Sequence, residues 1–323
     1  MTKAIQSDFG RNGFNTCIIE AMDTLLLFCS DPLNPRVPDC DYLSEADAVA
    51  RLNGHSSLID FESLTSEGNA AKALRRVVDR SDECRGIYRG WMVTPAQYSQ
   101  LYGALKDRMI TLINSPEAFE QCHYLPRWYP LLEGNTPKSV WTSAPEISDM
   151  AQIMAKLSVF GDRPVIVKDW VKSRKHEWLD ACFIPSAANQ SEVERVVGRF
   201  LELQGDDLNV GLVFREFVEF ERIGNHPKSG MPLTTEYRLF YVRGRPIMVS
   251  RYWDDGDYTS ELPPLSYFNG LAQLIDSQFF TMDVAKTQTG EWMVMELGDA
   301  QVAALPDNID AGAFVEALVN SVK

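Results

Sequence analysis

The chain has 323 residues, of which 45% are hydrophobic and 24% are charged. This length allows about two or three domains with substantial cores, and no apolar run approaches the roughly 20 residues that cross a bilayer. The 31 basic and 45 acidic residues leave a formal charge of −14. Such an excess of negative charge disfavours nucleic acid and anionic membranes as partners, so any bound anion requires a local basic patch.

The six cysteines are widely spaced and show no zinc-site spacing. The first residues lack the basic region and cleavage site of a signal peptide. We therefore expect reduced thiols and a cytoplasmic protein.

Residues 1–23 show no sustained hydrophobic periodicity, and we interpret them as a leader. Residues 24–115 then alternate short apolar runs with helical patterns, an order typical of an open α/β sheet. The predicted strands are TLLLFC, SSLIDF, CRGIYRG and RMITLI, and the predicted helices lie near 44–53, 68–79 and 95–107. We expect one α/β domain over this range.

Two α+β units are predicted after a proline- and aromatic-rich connection, CHYLPRWYPLLEGNTPKSVWT. The first unit, with the connection, spans 116–213 and contains the strand RPVIVKDW. The second spans 214–323 and is dominated by antiparallel strands. Helices are predicted near 146–158, 190–204, 262–275 and 310–320.

The run FFTMDVAKTQTGEWMVMELGD is predicted to form a β-hairpin, yet it carries the carboxylates of Asp283, Glu296 and Asp299. A turn of two or four residues would set Lys286 opposite Glu291. Asp283 and Glu296 would then be diagonal neighbours on one face, whereas a three-residue loop would place them on opposite faces. Converging carboxylates need a counterion, and Mg²⁺ is often bound in this way. In the alternative interpretation Asp283 and Asp299 are solvated strand ends and Glu296 pairs with an arginine.

Positive charge is concentrated in VIVKDWVKSRK, where Lys168 ends an apolar strand. A lysine in such surroundings is seldom buried without a counterion, so we predict that Lys168 contacts phosphates. Lys172, Arg174 and Lys175 follow in a polar loop that could close over the outer phosphates. A solvated loop explains these three residues equally well.

The strand LVFREFVEF leads into a predicted hinge whose backbone could meet an adenine edge, with Glu219 or Glu221 on a ribose hydroxyl. The nucleotide-binding residues predicted here are Arg215, Glu216, Phe217, Val218 and Glu219.

The strand TTEYRLFYV places Glu236 and Arg238 on one face, because side chains alternate along a strand. A cross-strand ion pair explains both residues. Alternatively, Arg238 stabilises charge on a transferring phosphoryl group.

Taken in order, the lysine-ended strand, the hinge strand, the acidic-x-Arg strand and the Asp…Glu hairpin resemble the ATP-grasp superfamily over about residues 116–323. The domain before them is similar to one that often precedes that fold. The resemblance implies an α+β fold in which two subdomains grip ATP and Mg²⁺. It also implies a ligase that joins a carboxylate to an amine through an acyl phosphate, in a divergent bacterial and phage branch.

The resemblance assigns roles to single residues. Lys168 would contact the phosphates, and residues 216–218 would form the adenine hinge. Glu236-Tyr237-Arg238 resembles the acidic-x-Arg element of peptide-forming members such as the ribosomal-protein glutamate ligases.

The metal-binding residues implied by the resemblance are Asp283 and Glu296. The family commonly has Glu-x-Asn on the last strand, whereas this chain has Glu296-Leu297-Gly298-Asp299. The third ligand predicted is therefore Asp299, displaced by one residue.

Arg89 and Trp91 follow a strand of the first domain, where ligands of open α/β sheets gather. Arg89 could bind a substrate carboxylate there. It could equally be an interface arginine, with Trp91 as packing. Asp41 and Glu45 could meet an amine.

The leading hypothesis is an ATP-dependent ligase acting on small-molecule or peptide carboxylates and amines, and a homodimer is compatible with it. A second hypothesis is an ATP-binding assembly factor with little ligase activity. A third is a nucleotide-independent scaffold with a solvated acidic hairpin.

Overall fold

The computed structural model describes residues 24–225, 232–259 and 261–322. The leader predicted at 1–23 lies outside them. None of the helices in these ranges combines the length and apolar character that a bilayer crossing requires.

The first part of the chain forms a parallel four-stranded sheet. Its strands are β1 (Thr24–Cys29), β2 (His55–Ile59), β3 (Cys84–Arg89) and β4 (Ile110–Leu112), in the order β2-β1-β3-β4. Its helices are α1 (Leu43–Arg51), α2 (Phe61–Thr65), α3 (Ala70–Ala73) and α4 (Pro95–Lys106). The predicted strand–helix alternation is confirmed, although the helix expected at 68–79 is reduced to α3.

The segment predicted as a connection is helical. It forms α5 (Pro116–His123) and α6 (Leu125–Leu132). The side chain of Ser115 accepts a hydrogen bond from the backbone of Ala118 and so caps α5. Pro116 and Pro126 stand in the first turns, where a missing N–H is tolerated. These helices bring the aromatic segment into contact with the last sheet.

The second sheet is antiparallel and has helices on one face. Its strands are β5 (Ser139–Trp141), β6 (Val165–Asp169), β7 (Phe183–Ile184) and β8 (Leu212–Glu216), in the order β5-β8-β6-β7. The accompanying helices are α7 (Met150–Leu157), α8 (Trp178–Ala181) and α9 (Gln190–Gln204). Val165, Val167 and Phe214 pack on this helical side. Side chains alternate along a strand, so Lys168 points to the opposite face.

The third sheet follows a short hairpin of β9 (Arg222–Asn225) and β10 (Pro232–Thr234). Its strands are β11 (Glu236–Val242), β12 (Arg245–Arg251), β13 (Phe279–Lys286) and β14 (Trp292–Asp299), in the antiparallel order β12-β11-β13-β14. The helices α10 (Leu265–Ala272) and α11 (Ala311–Val322) complete the chain.

Each face of the third sheet has its own core. Met282 and Leu239 pack against α5, α6 and α10 on one face. On the other face, Phe240 and Phe279 pack against α11 and α1. This second face continues into Arg238 and Asp283, where it becomes polar. The site described next lies on this polar half.

Candidate active site

The two central carboxylates are aligned by a β-bulge. Lys286 pairs with Trp292, which leaves a loop of five residues, 287–291. The predicted pairing of Lys286 with Glu291 is therefore wrong, and an odd loop alone would turn Glu296 to the other face. The register shifts at Met295, and beyond that shift Asp283 pairs directly with Glu296. The bulge thus restores the shared face that the sequence predicted.

Buried hydrogen bonds hold the bulged strand from its open edge. Arg215 donates to the carbonyl oxygens of Met295 and Val294, and to Thr136. Thr136 Oγ1 donates to the Val294 carbonyl at 2.8 Å, and the Val294 N–H donates to the Asn135 carbonyl at 2.8 Å. Burial lowers the pKa of Arg215 to about 10. Arg215, predicted as a nucleotide ligand, lines a cleft between the second and third sheets but uses its guanidinium on the backbone.

Each of the two carboxylates has its own cation. Lys168 Nζ lies 2.7 Å from Glu296 Oε1, and Arg238 forms two parallel hydrogen bonds of 2.8 Å with Asp283. The Lys168 side chain is 5% exposed and that of Glu296 is 38% exposed. Burial opposes ionisation of Glu296, but Lys168 outweighs it and holds the pKa of Glu296 below its usual value. The two neighbouring carboxylates, one of which is half-open to solvent, form a donor set that fits Mg²⁺.

Asp299 does not join this pair. It lies opposite Phe280, on the other face of the hairpin. Its oxygens accept hydrogen bonds from Asn114 at 2.6 Å and from Gln301 at 2.9 and 3.2 Å. The prediction of Asp299 as a third metal ligand therefore lacks geometric support.

Gly298 stands where the carboxylate face continues beyond Glu296. It pairs with Thr281, and a Cβ at Gly298 would meet the Thr281 hydroxyl at 2.9 Å. The space of a third side chain is thus taken by Thr281, and this face of the hairpin presents two carboxylates, Asp283 and Glu296.

Glu236 lies on the same face of the third sheet as the carboxylate pair, with Lys175 and Tyr252 near it. Burial raises the pKa of Glu236 to about 7. Lys175, in the loop after β6, places its Nζ 5.9 Å from the Tyr252 ring, and the Arg238 guanidinium is 5.1 Å from the same ring. Burial opposes the charge on Lys175, but Tyr252 and Glu236 raise its pKa above the ordinary value.

The two other basic residues of this loop, Lys172 and Arg174, point away from Lys175 and from each other. Arg174 turns away from the cleft and donates to the Leu203 carbonyl and to Glu177. Lys172 is exposed at the rim of a larger cavity. Of the three loop residues, Lys175 alone lines the cleft between the second and third sheets.

A cleft of about 230 Å³ separates the second and third sheets. Ile166, Phe217 and Met295 give it apolar walls. In the described part of the chain, the backbone N–H and carbonyl of Val218 have no hydrogen-bond partner, a state that suits an adenine edge. The predicted hinge residues differ in role, since Glu216 pairs with Arg163 and Glu219 is exposed.

A cavity of about 780 Å³ lies on the other side of the carboxylate pair. Asp283 and Glu296 line its floor, and the first domain contributes Tyr42 and Trp91 to its wall. Their rings meet edge to face at 5.8 Å. Trp91 therefore packs on Tyr42 beside a space that could hold a substrate, and its role in substrate binding stays a prediction.

Arg89 is placed differently. It is 0% exposed and forms two hydrogen bonds of 2.7 Å with Glu45. It also donates to the carbonyl oxygens of Ala300 and Ala303. The prediction that Arg89 or Glu45 meets a substrate is wrong for this structure, because the two neutralise each other at the domain interface.

His123 also lines the large cavity and was missed from the sequence. It stands in the proline- and aromatic-rich segment, which was interpreted as a connection. A helical interpretation of that segment, starting from the cap Ser115-Pro116, would have placed His123 at a helix end beside the last sheet.

Residues 158–318 match a family described as "ATP-grasp domain", the third family of its clade. A search of curated protein sequences gave no match.

Solved structures of similar fold cover nearly the whole chain. One is the RimK domain protein ATP-grasp from Sphaerobacter thermophilus, with a TM-score of 0.56, 12% identity, and coverage of 92% of this chain and 99% of that one. The D-alanine–D-alanine ligase from Bacillus anthracis, complexed with ATP, has a TM-score of 0.56 and 13% identity, with coverage of 94% of this chain and 97% of that one. The ATP-grasp ligase PsnB, complexed with a variant of its minimal precursor, Mg and ADP, has a TM-score of 0.53 and 14% identity, with coverage of 94% of this chain and 99% of that one. At these identities the similarity establishes the fold.

Proposed function

The chain belongs to the ATP-grasp superfamily, and on that premise we propose that it is an ATP-dependent ligase that joins a carboxylate to an amine. The observation that carries this proposal is the position of the Asp283–Glu296 pair. Both carboxylates line the larger cavity and contact Lys168 and Arg238. Glu236 and Met295, close to them on the same sheet, line the smaller cleft. A ligase needs this arrangement, because phosphates and acceptor must meet at one point.

The residues divide between nucleotide and acceptor. Phe217 and Val218 would hold adenine in the smaller cleft, and Lys168 and Lys175 would contact the phosphates. Asp283 and Glu296 would hold Mg²⁺, which neutralises phosphate charge when bound. The similar fold of a ligase complexed with ATP, and of another complexed with Mg and ADP, supports this assignment.

The reaction that fits is a two-step transfer. A carboxylate oxygen of the substrate attacks the γ-phosphorus, and ADP leaves with the electron pair of the broken phosphorus–oxygen bond. The nitrogen of an amine then attacks the carbonyl carbon of the acyl phosphate, and phosphate leaves. Arg238 faces the large cavity and would stabilise charge on the transferring group. The enclosing walls would limit hydrolysis of the acyl phosphate.

The test is an ADP-release screen with the twenty L-amino acids and short alanyl peptides. We expect ADP release to require both a carboxylate and an amine. Glu296→Gln should abolish it without changing the melting temperature by more than a few degrees, because the isosteric amide cannot supply an anionic ligand. Glu291→Gln is the matched control, since Glu291 is exposed on the loop of the same hairpin.

Two outcomes would contradict the proposal. Normal turnover in Glu296→Gln would remove the metal assignment. Slow ADP release by the wild-type protein that no added compound changes would instead favour the ATP-binding assembly factor.

A further inference from the structure

A buried imidazole faces the large cavity. His123, the last residue of α5, is 7% exposed and lines the cavity with Glu296 and Lys172. Within the described residues, no hydrogen bond or ion pair engages its ring nitrogens. The ring nitrogens are not among the fully enclosed, unpartnered side-chain atoms of the described residues, so they are open to the cavity. His123 therefore has hydrogen-bonding capacity that the protein itself does not use.

Packing fixes the orientation of this ring. It stacks on Phe119 with centroids 5.1 Å apart and planes 22° apart, and it lies 5.2 Å from the Tyr124 ring. Phe119 is itself fully buried and stacked on Tyr98 at 4.0 Å. The imidazole is thus held from behind by aromatic carbon, while its nitrogens remain available to a molecule in the cavity.

The surroundings keep the ring uncharged. Burial and the nearby charge of Lys172 lower the pKa of His123 to about 4, against the opposing effect of Glu296. Lys168 is the other charge that faces it. At neutral pH the imidazole therefore presents a free lone pair.

The other titratable side chains that line the cavity have different surroundings. Asp41 and Asp307 are exposed to solvent, and Asp299 accepts hydrogen bonds from Asn114 and Gln301. Glu296 and Asp283 are paired with cations and are the proposed metal ligands. Lys172 carries a positive charge and cannot accept a proton. His123 differs from them as a buried base of this lining whose ring nitrogens have no partner among the described residues.

We propose that His123 is the proton acceptor of the amine-transfer step. This inference rests on the proposed ligase function. As the carbon–nitrogen bond forms, the carbon–oxygen bond to phosphate breaks and phosphate leaves with its electron pair. One ring nitrogen takes the proton from the attacking nitrogen and later returns it to solvent. The attacking nitrogen becomes strongly acidic as its bond forms, so even a weak base accepts this proton.

The experiment separates the two half-reactions. Wild type, His123→Gln and the control His55→Gln are incubated with ATP, Mg²⁺ and an equimolar mixture of the twenty L-amino acids and their alanyl dipeptides. Amide products and ADP are quantified by mass spectrometry, with and without hydroxylamine, which traps acyl phosphates as hydroxamates. His55 is exposed at the start of β2, away from the cavity.

For His123→Gln we expect hydroxamate formation within a few-fold of wild type, because the first half-reaction does not need this base. The ratio of amide to ADP should fall roughly 100-fold, the lower range of a lost general base. His55→Gln should keep the wild-type ratio.

The failures are distinguishable. A wild-type protein that forms neither hydroxamate nor amide would refute the ligase function and, with it, this proposal. A His123→Gln protein with the wild-type amide-to-ADP ratio would refute the role of His123 alone. A parallel loss of hydroxamate and amide would show a packing role and would also refute it.

Discussion

Arg89 offers a sharp test of the domain interface, because its predicted and observed roles lead to different phenotypes. Arg89→Met would leave Glu45, which is 1% exposed, without a counterion. Removing one partner of a buried ion pair destabilises a protein by about 3–5 kcal/mol. The lost hydrogen bonds to the Ala300 and Ala303 carbonyls act in the same direction. At about 2–4 °C per kcal/mol, the melting temperature should fall by roughly 6–20 °C.

Differential scanning fluorimetry measures this fall directly. The matched control is Arg75→Met, because Arg75 pairs with Asp60 at 2.8 Å but its side chain is 41% exposed. An exposed pair contributes at most about 1 kcal/mol, so that variant should melt within a few degrees of wild type. The double variant Arg89→Met with Glu45→Leu removes both buried charges and should melt above Arg89→Met alone.

Two results would refute this account of Arg89. The first is a normal melting temperature for Arg89→Met, which would remove the structural role. The second is a fall in melting temperature for Arg75→Met as large as that for Arg89→Met, which would show that burial of the pair is not the cause.

Two further predictions concern charge at the site. Lys168→Met removes the cation paired with Glu296, so the protein without nucleotide should bind Mn²⁺ about fivefold more tightly, equivalent to about 1 kcal/mol for a partly exposed pair. Electron paramagnetic resonance of free Mn²⁺ measures this affinity, and Lys72→Met, which changes an exposed ion pair, is the control. An unchanged Mn²⁺ affinity in Lys168→Met would contradict the pairing. Because the pKa of Glu236 is raised from 4.5 to about 7, the folded state binds the extra proton. The resulting stability is present below pH 4.5 and is lost as pH rises to about 7. Glu236→Gln should therefore raise the melting temperature relative to wild type at pH 8 more than at pH 5, and an equal difference at both pH values would oppose this assignment.

The local parts of the fold were predictable from sequence. Apolar runs such as Thr24–Cys29 alternate with capped helices such as Pro95–Lys106, and each pattern is set by near neighbours. The segment around Pro126 and Pro130 was predicted as a connection instead of a helix, because prolines are usually taken as helix breakers. Pro126 stands in a first turn, and burial of Trp128 and Leu132 stabilises α6 around Pro130.

The alignment of the carboxylate pair could not be predicted from the sequence. Its residue types and strands were predictable, but its register depends on a bulge at Met295 that Arg215 holds from another sheet. No pattern within the hairpin specifies that contact. Arg89 shows the same limit, because the Ala300 and Ala303 carbonyls approach it from the far end of the chain.

The observed pairing also explains how the two neighbouring carboxylates are tolerated. Asp283 is 3% exposed, and an unpaired carboxylate there would be strongly unfavourable. Arg238 and Lys168 supply the compensating charge to Asp283 and Glu296. These are the cations that the proposed function directs to phosphates. Exchange of partners, in which phosphates take the cations and Mg²⁺ takes the carboxylates, would keep every charge compensated, and so metal affinity should depend on nucleotide.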